Sequence, residues 1–199
     1  MAMSDAGRQR EYDVDPMFLG RWSPRAFTAE PIPERVLMSV FEAAHWAPSA
    51  FNLQPWRFVY AHRDGPGWET LLGLLIPYNQ AWAQRAAALV FAISHRFRRR
   101  PSGELEPIYS HSFDTGAAWG YLALQAHRLG WAAHGMTGFD HEGCYAALGV
   151  PEDEYRVEAA IALGRQADKA ILPDSYQSRE APSDREPVSQ LVFEGRFEP

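Results

Sequence analysis

Residues 110–129 set the first constraint on the fold. The stretch is alanine-rich and apolar around most of its circumference. Phe113, Ala117, Tyr121 and Leu124 form one stripe, Ala118, Leu122 and Ala126 an overlapping second, and Gly130 stands where such a helix would end. At about 1.5 Å per residue the helix is on the order of 30 Å long. With so little polar face it needs cover on several sides, which predicts a centrally buried element.

The segments on either side supply the cover. Val36, Leu37, Val40, Phe41 and Ala44 recur at helical spacing between the Pro31/Pro33 pair and Pro48, an amphipathic helix with a definite stop. Trp56, Arg57, Phe58, Val59 and Tyr60 read as a strand closed by the turn cluster at residues 64–67. Trp68, Leu71, Leu72 and Leu75 suggest a short helix ending at Pro77; residues 79–87 predict another, feeding a strand at 88–94. Residues 131–135 and 156–163 predict two more strands, with a helix capped by Asp140 between them. This order is α+β, not a regular βαβ series.

No internal repeat or composition break divides the 199 residues, so a single domain is expected, with residues 1–15 as a flexible leader. The charged tail from 165 to 199 holds Val188, Leu191, Val192 and Phe193, apolar residues whose burial a neighbouring subunit would provide. Cys144 is the lone cysteine, so no internal disulfide is available and a cytoplasmic setting is the simpler expectation. The mixed charge of the N-terminus does not match a signal peptide, and no apolar run approaches the roughly 20 residues of a spanning helix. A net charge of -6 opposes nucleic-acid binding, and the basic run at 96–100 is expected to be a solvated loop.

Two clusters carry chemistry. Arg21, Trp22, Ser23, Pro24 and Arg25 place two guanidinium forks and a hydroxyl within five residues, a set suited to phosphate oxygens. In residues 47–56, small residues and prolines surround Asn52, whose amide offers donor and acceptor to a flat heterocycle approached closely by the chain. Alone, each also fits an ordinary cap or loop.

In this order, separated by one amphipathic helix, the clusters resemble the nitroreductase family. Its members open with Arg-x-Ser-x-Arg-x-Phe, here residues 21–27, followed by Pro-Ser-x-x-Asn-x-Gln-Pro-Trp, here residues 48–56. Asn79, the stretch 134–139 and the terminal segments 183–187 and 193–197 extend the resemblance over nearly the whole chain.

The resemblance implies a three-layer α/β/α arrangement with a mainly antiparallel sheet and helices around it, in an intertwined homodimer with FMN at the subunit interface. Arg21, Ser23 and Arg25 would hold the phosphate and ribityl end of FMN, with Trp22 adding backbone contacts and Arg185 closing the site. Pro48, Ser49, Ala50 and Asn52 would reach the flavin from the other subunit. Asn79 would meet the ring edge, and Met136, Thr137 and Gly138 would line the ring. Arg25 and Asn79 are the candidate donors near flavin N1 or O2. Glu186 follows Arg185 where many relatives carry a second basic residue, and Trp82 and Gln84 occupy a stretch where some carry lysine.

The implied activity is oxidoreduction, with hydride passing from NADH or NADPH through FMN to a nitroaromatic, quinone or other small electron-poor acceptor by a ping-pong scheme. No side-chain nucleophile is assigned. The alternative is a flavin-binding or flavin-storage protein of the same fold with little turnover. Specialised flavin chemistry has no diagnostic residue here. A metal site from His134, His141 and Cys144 is disfavoured against a surface histidine and a buried thiol, and Ser110, His111, Ser112 and Asp114 lack the nucleophile elbow of a hydrolase. Trp56, Trp119 and Tyr121 read as packing residues, while Phe97, Tyr109 and Trp82 are candidates to line a substrate cavity.

Overall fold

In the computed structural model, which describes residues 8–198, the chain forms α1 (Pro16–Gly20), α2 (Glu34–His45), β1 (Trp56–His62), α3 (Trp68–Gly73) and α4 (Pro77–Ala83). It continues through β2 (Ala88–His95), β3 (Phe97–Arg99), β4 (Leu105–Pro107), α5 (His111–Arg128), β5 (Ala132–Met136), α6 (Gly143–Leu148), β6 (Tyr155–Gly164) and α7 (Asp174–Gln177). The main sheet has the order β1-β2-β6-β5, every pair antiparallel.

Alternation along β2 explains the layers. Ala88, Val90 and Ala92 face the layer of α2 and α5, where Leu37, Val40, Ala118, Leu122 and Ala126 meet Ile161 and Leu163 of β6. Leu89, Phe91 and Ile93 face the opposite layer of Trp68, Leu71, Trp82 and Cys144 from the shorter helices. A strand buried on both faces reads as a continuous apolar run, which is what residues 88–94 are. The expected α+β fold, with helices on both sides of an antiparallel sheet, is present.

The boundaries follow local chemistry. Asp15 caps α1 by accepting from the Met17 N–H, and Pro16 occupies the first helical position. Pro77 likewise starts α4, which stops at Ala83 and does not extend to residue 87. Gly130 adopts φ 75° just past α5 and ends it. Asp140 accepts from the Gly143 N–H at 2.9 Å, and the helix it introduces runs to Leu148.

Two expectations change. The basic run is not a solvated loop: residues 97–99 pair with residues 105–107 as a hairpin, and Glu106 takes both Arg98 and Arg100. Nor is α5 buried all round. Its Ala118/Leu122/Ala126 stripe is enclosed, but Phe113 is 82% and Tyr121 43% exposed, and Gly116 and Gly120 face open space. Among the described residues, the stripe that carries Phe113 and Tyr121 is left largely without cover.

Of the leader, residues 1–7 lie outside the described residues. Arg8 is the first described residue and is well tied: it donates to the carbonyls of Leu19, Arg21 and Ser183. The tail runs back along this segment, where the Val188 N–H donates to Glu11 at 3.1 Å. Leu191, Val192 and Phe197 of the tail are exposed.

Candidate functional site

A hollow of about 570 Å³ opens between α5 and β5, lined by Phe18, Arg21, Ser23, Trp119, Gly120, Ala123, Met136 and Thr137 among others. Gly120, Ala123, Gly135 and Ala159 are the small residues of its lining. A Cβ on Gly135 would stand 3.1 Å from the Trp119 ring, so glycine there lets β5 and α5 close up. Trp119 is therefore a wall of the hollow as well as a packing residue, and Tyr121 is exposed.

Cations gather at one end. The Arg21 guanidinium lies 3.3 Å from Ser23 Oγ and makes no ion pair among the described residues. Its pKa is lowered by burial and then by the like charges of Arg8 and Arg185. Arg8 is lowered by burial and by Arg185, with Asp184 partly offsetting this. Arg8, Arg185 and Glu186 line an adjoining hollow that shares Phe18 with the first. Glu11 and Asp184 also line the adjoining hollow, so it is Arg21, without a carboxylate partner among the described residues, that marks the end of the first hollow where an anion would be favoured.

Arg25 is held differently. Glu180, a buried carboxylate, accepts from the backbone N–H groups of Arg25 and Ala26 at 2.7 and 2.8 Å, and lies 3.7 Å from the Arg25 guanidinium. Arg25 Nε is buried without a hydrogen-bond partner among the described residues. Glu180 thus braces the Arg25–Ala26 end of the arginine segment. Trp22 is half-buried between Arg21 and Ser23.

His134 supports the same segment from β5. Its Nδ1–H donates to the Pro24 carbonyl at 3.0 Å, and its ring sits against Trp82 with centroids 4.7 Å apart. Burial chiefly, then Arg25 and Arg21, outweigh that hydrogen bond and push its pKa down to about 4. Trp82 is 1% exposed, packs on Phe27 as well and is not among the residues lining the hollow. Gln84 is engaged with the Ala81 carbonyl.

Asn79 is buried on α4 and donates to the Gly138 carbonyl at 2.9 Å. The Ile76 N–H reaches the same oxygen at 3.1 Å, so α4 fixes the 136–138 segment in which Met136 is buried and Thr137 exposed.

Pro48, Ser49, Ala50 and Asn52 lie elsewhere. They form an exposed turn in which Phe51, Asn52 and Gln54 have φ values of 51°, 56° and 47°, and none of them lines the hollow. The buried Asp114 on α5 accepts from the Ala50 N–H, nine residues before Ala123, or about 13 Å along the helix. One chain therefore brings Arg21, Ser23, Met136 and Thr137 to a common hollow, with Arg185 beside it, and leaves the 48–52 turn apart.

Sequence reasoning missed Arg8, Glu180 and Asp114. Arg8 and Glu180 act on partners 13 and 155 residues away, a separation that leaves no local pattern. Trp119 next to Gly120 did leave a signal, since glycine inside a helix costs about 1 kcal/mol and asks for a reason. The hydroxyls near the start of α5 are consumed locally. Ser112 and the fully buried Ser94 go to Glu158, and Ser110 goes to Asp114. No three metal-ligating side chains converge among the described residues; His141 bonds the Thr137 carbonyl, and the Cys144 thiol points to the His141 carbonyl.

The sequence profile of the Nitroreductase family matches residues 19–67 and 69–165, the span that builds the arginine segment, the turn and the hollow. The chain belongs to the nitroreductase family. A protein named NADH dehydrogenase from Thermus thermophilus is 30% identical across 91% of this chain and 95% of its own length. A crystal structure described as an oxidoreductase containing FMN is 50% identical, covers 100% of this chain and 99% of that one, and superposes with a TM-score of 0.95. A nitroreductase-named protein from Desulfovibrio desulfuricans, solved in complex with FMN, is 23% identical with a TM-score of 0.72 over 94% of this chain and 100% of its own. That likeness shows the nitroreductase fold. No helix among the described residues is long and apolar enough to cross a membrane.

Proposed function

We propose that this nitroreductase-family chain is an FMN-dependent oxidoreductase of the cytoplasm that works as a homodimer, with each flavin held between the hollow of one subunit and the 48–52 turn of the other. The observation that carries the reading is the separation of these two half-sites within one chain, each matching a different part of the family's pattern. The uncovered Phe113/Gly116/Gly120/Tyr121 face of α5 supports an interface along that helix.

The residues present fit FMN. Arg21, Arg8 and Arg185 supply positive charge, Arg21 with no carboxylate partner among the described residues, Ser23 adds a hydroxyl, and the buried Arg25 Nε, without a hydrogen-bond partner among those residues, is a spare donor. Gly120, Ala123 and Gly135 leave room for a planar ring, and Asn79 fixes the segment carrying Met136, Thr137 and Gly138 beside it. Pro48, Ser49, Ala50 and Asn52 would close the ring from the partner. Trp22 contributes through its backbone. The exposed apolar tail, residues 188–197, would lie over the partner, for which a groove between α2 and β1 lined by Met38, Phe41, Trp56, Phe58 and Tyr60 offers a seat.

When bound, FMN supplies the redox chemistry, taking hydride from NADH or NADPH and passing it to a small electron-poor acceptor such as a nitroaromatic or quinone. The protein's part would be to orient: the arginines would anchor the charged end, with Arg25 the candidate cation to favour negative charge on a reduced ring. Donor and acceptor would share one open face in turn, a ping-pong order.

The test is anaerobic mixing of the purified, FMN-loaded protein with NADH and with NADPH. Loss of the visible flavin band, followed by its return on adding menadione or a nitroaromatic, is expected. A colourless protein that takes up no FMN would overturn the proposal.

A further inference from the structure

The turn proposed to reach the partner's flavin is held in a conformation the chain does not adopt freely. Phe51, Asn52 and Gln54, none of them glycine, all have positive φ near the left-handed region, which persists only where surrounding contacts over-determine it. Some of those contacts lie within the turn: the Asn52 N–H donates to the Ser49 carbonyl, the Leu53 N–H to the Ala50 carbonyl and the Gln54 N–H to Ser49 Oγ. From outside the turn, the Arg57 guanidinium donates to the Gln54 carbonyl at 3.0 Å, and Asp114 reaches the Ala50 end of the backbone from α5. Asp114 Oδ2 accepts from the Ala50 N–H at 3.1 Å and from the Ser110 hydroxyl at 2.8 Å.

Asp114 is 3% exposed and forms no ion pair among the described residues. A buried carboxylate without a cation is costly, and hydrogen bonds to it are correspondingly strong. In the first turn of α5 it also meets the positive end of the helix dipole, which offsets part of that cost. The same helix carries Trp119, Gly120 and Ala123 in the wall of the hollow. One rigid element therefore sets the wall of a subunit's own hollow and, through Asp114, the shape of the turn.

We propose that Asp114 is a positioning residue for the flavin site of the opposite subunit: it fixes the Ala50 backbone, and with it the Ser49–Asn52 surface offered across the dimer. The inference rests on the reading of the turn as the partner's half of the site. It goes further by placing control of one subunit's cofactor site on a buried residue of the other that never touches the cofactor.

The experiment compares Asp114→Ala, Asp114→Asn and Arg21→Ala, each checked by circular dichroism and thermal melting, with FMN affinity read by quenching of flavin fluorescence. Asp114→Ala is expected to weaken FMN binding about tenfold or more. Asp114→Asn keeps an oxygen for the Ala50 N–H and is expected to restore most of that loss. Subunit exchange then separates positioning from general damage. Mixing Asp114→Ala with Arg21→Ala should regenerate tight FMN binding, because one site of the heterodimer combines an intact hollow with an intact turn. Mixing Asp114→Ala with Asn52→Gly should not, since both lesions lie on the turn side. Tight binding by Asp114→Ala alone, or complementation of Asn52→Gly in place of Arg21→Ala, would overturn the inference. If Arg21→Ala itself binds FMN as the parent does, it is the flavin reading that fails, and this inference with it.

Discussion

Asn79 donates to the carbonyl oxygen of Gly138 at 2.9 Å, and a Cβ on that glycine would stand 2.7 Å from the same amide nitrogen and 2.7 Å from Ile76 Cδ1. The absence of a side chain at Gly138 is what lets α4 grip the 136–138 segment. Gly138→Ala is therefore expected to push Asn79 off the carbonyl and cost about 1 to 3 kcal/mol of stability. Chemical denaturation of the apoprotein measures it. An unchanged midpoint would mean that the contact yields without cost.

Arg21 stands among like charges with only a hydroxyl as its side-chain partner, so an anion should stabilise this end of the fold. Arg21→Ala is expected to lower FMN affinity by about 1.5 to 3 kcal/mol, since it removes charge-assisted hydrogen bonds. Arg8→Ala should weaken binding in the same direction, because Arg8 also holds the Arg21 and Ser183 carbonyls. Fluorescence titration at two salt concentrations checks both, and higher salt should shrink the differences.

His134 makes the fold sensitive to acid. Its pKa is about 4 in the folded chain, against roughly 6.5 for an ordinary histidine. Between those values the unfolded chain takes up a proton that the folded one refuses, so stability is fully present above about pH 6.5 and is lost as pH falls toward 4. The difference corresponds to about 3 kcal/mol. His134→Gln keeps a donor for the Pro24 carbonyl without titrating. Urea unfolding across this range should give a shallower acid-side loss in the variant than in the parent, and equal slopes would contradict the assignment.

The exposed face of α5 predicts the dimer. Beyond its own helix backbone, no described residue comes within 4 Å of a Cβ added at Gly116, so Gly116→Glu should leave the subunit's own contacts intact while placing a charge on the uncovered stripe. Light scattering behind a sizing column is expected to show a monomer with reduced FMN affinity. A dimer of unchanged affinity would place the interface elsewhere.

The sheet was the most legible part of the chain. Alternation in residues 56–60 and the apolar run at 88–94 marked β1 and β2, because burial on one or two faces writes itself directly into residue order. α5 was legible as a helix, but its surroundings were not. Periodicity reports which faces are apolar and cannot say whether the cover comes from the same chain, so Phe113 and Tyr121 were expected inside and stand outside. The hairpin at 97–107 was missed because its pairing depends on Glu106 meeting Arg98 and Arg100 across a turn, with no apolar alternation to announce it.

In the candidate site, the motifs placed Arg21, Ser23, Met136 and Thr137 together at one hollow. Motif order could not reveal that Arg25 is braced by Glu180 or that Asp114 pins Ala50, since those bonds join residues 155 and 64 positions apart.

The central claim is that hollow and turn from different subunits make one flavin site, and subunit exchange tests it most directly. Arg21→Ala disables the hollow, and Asn52→Gly removes the amide of the turn while tolerating its positive φ. Each homodimer should bind FMN weakly. After mixing and exchange, tight binding should return, because each heterodimer contains one site built from undamaged halves. If the mixture binds no better than the two variants apart, hollow and turn serve the same subunit's site and the account is wrong.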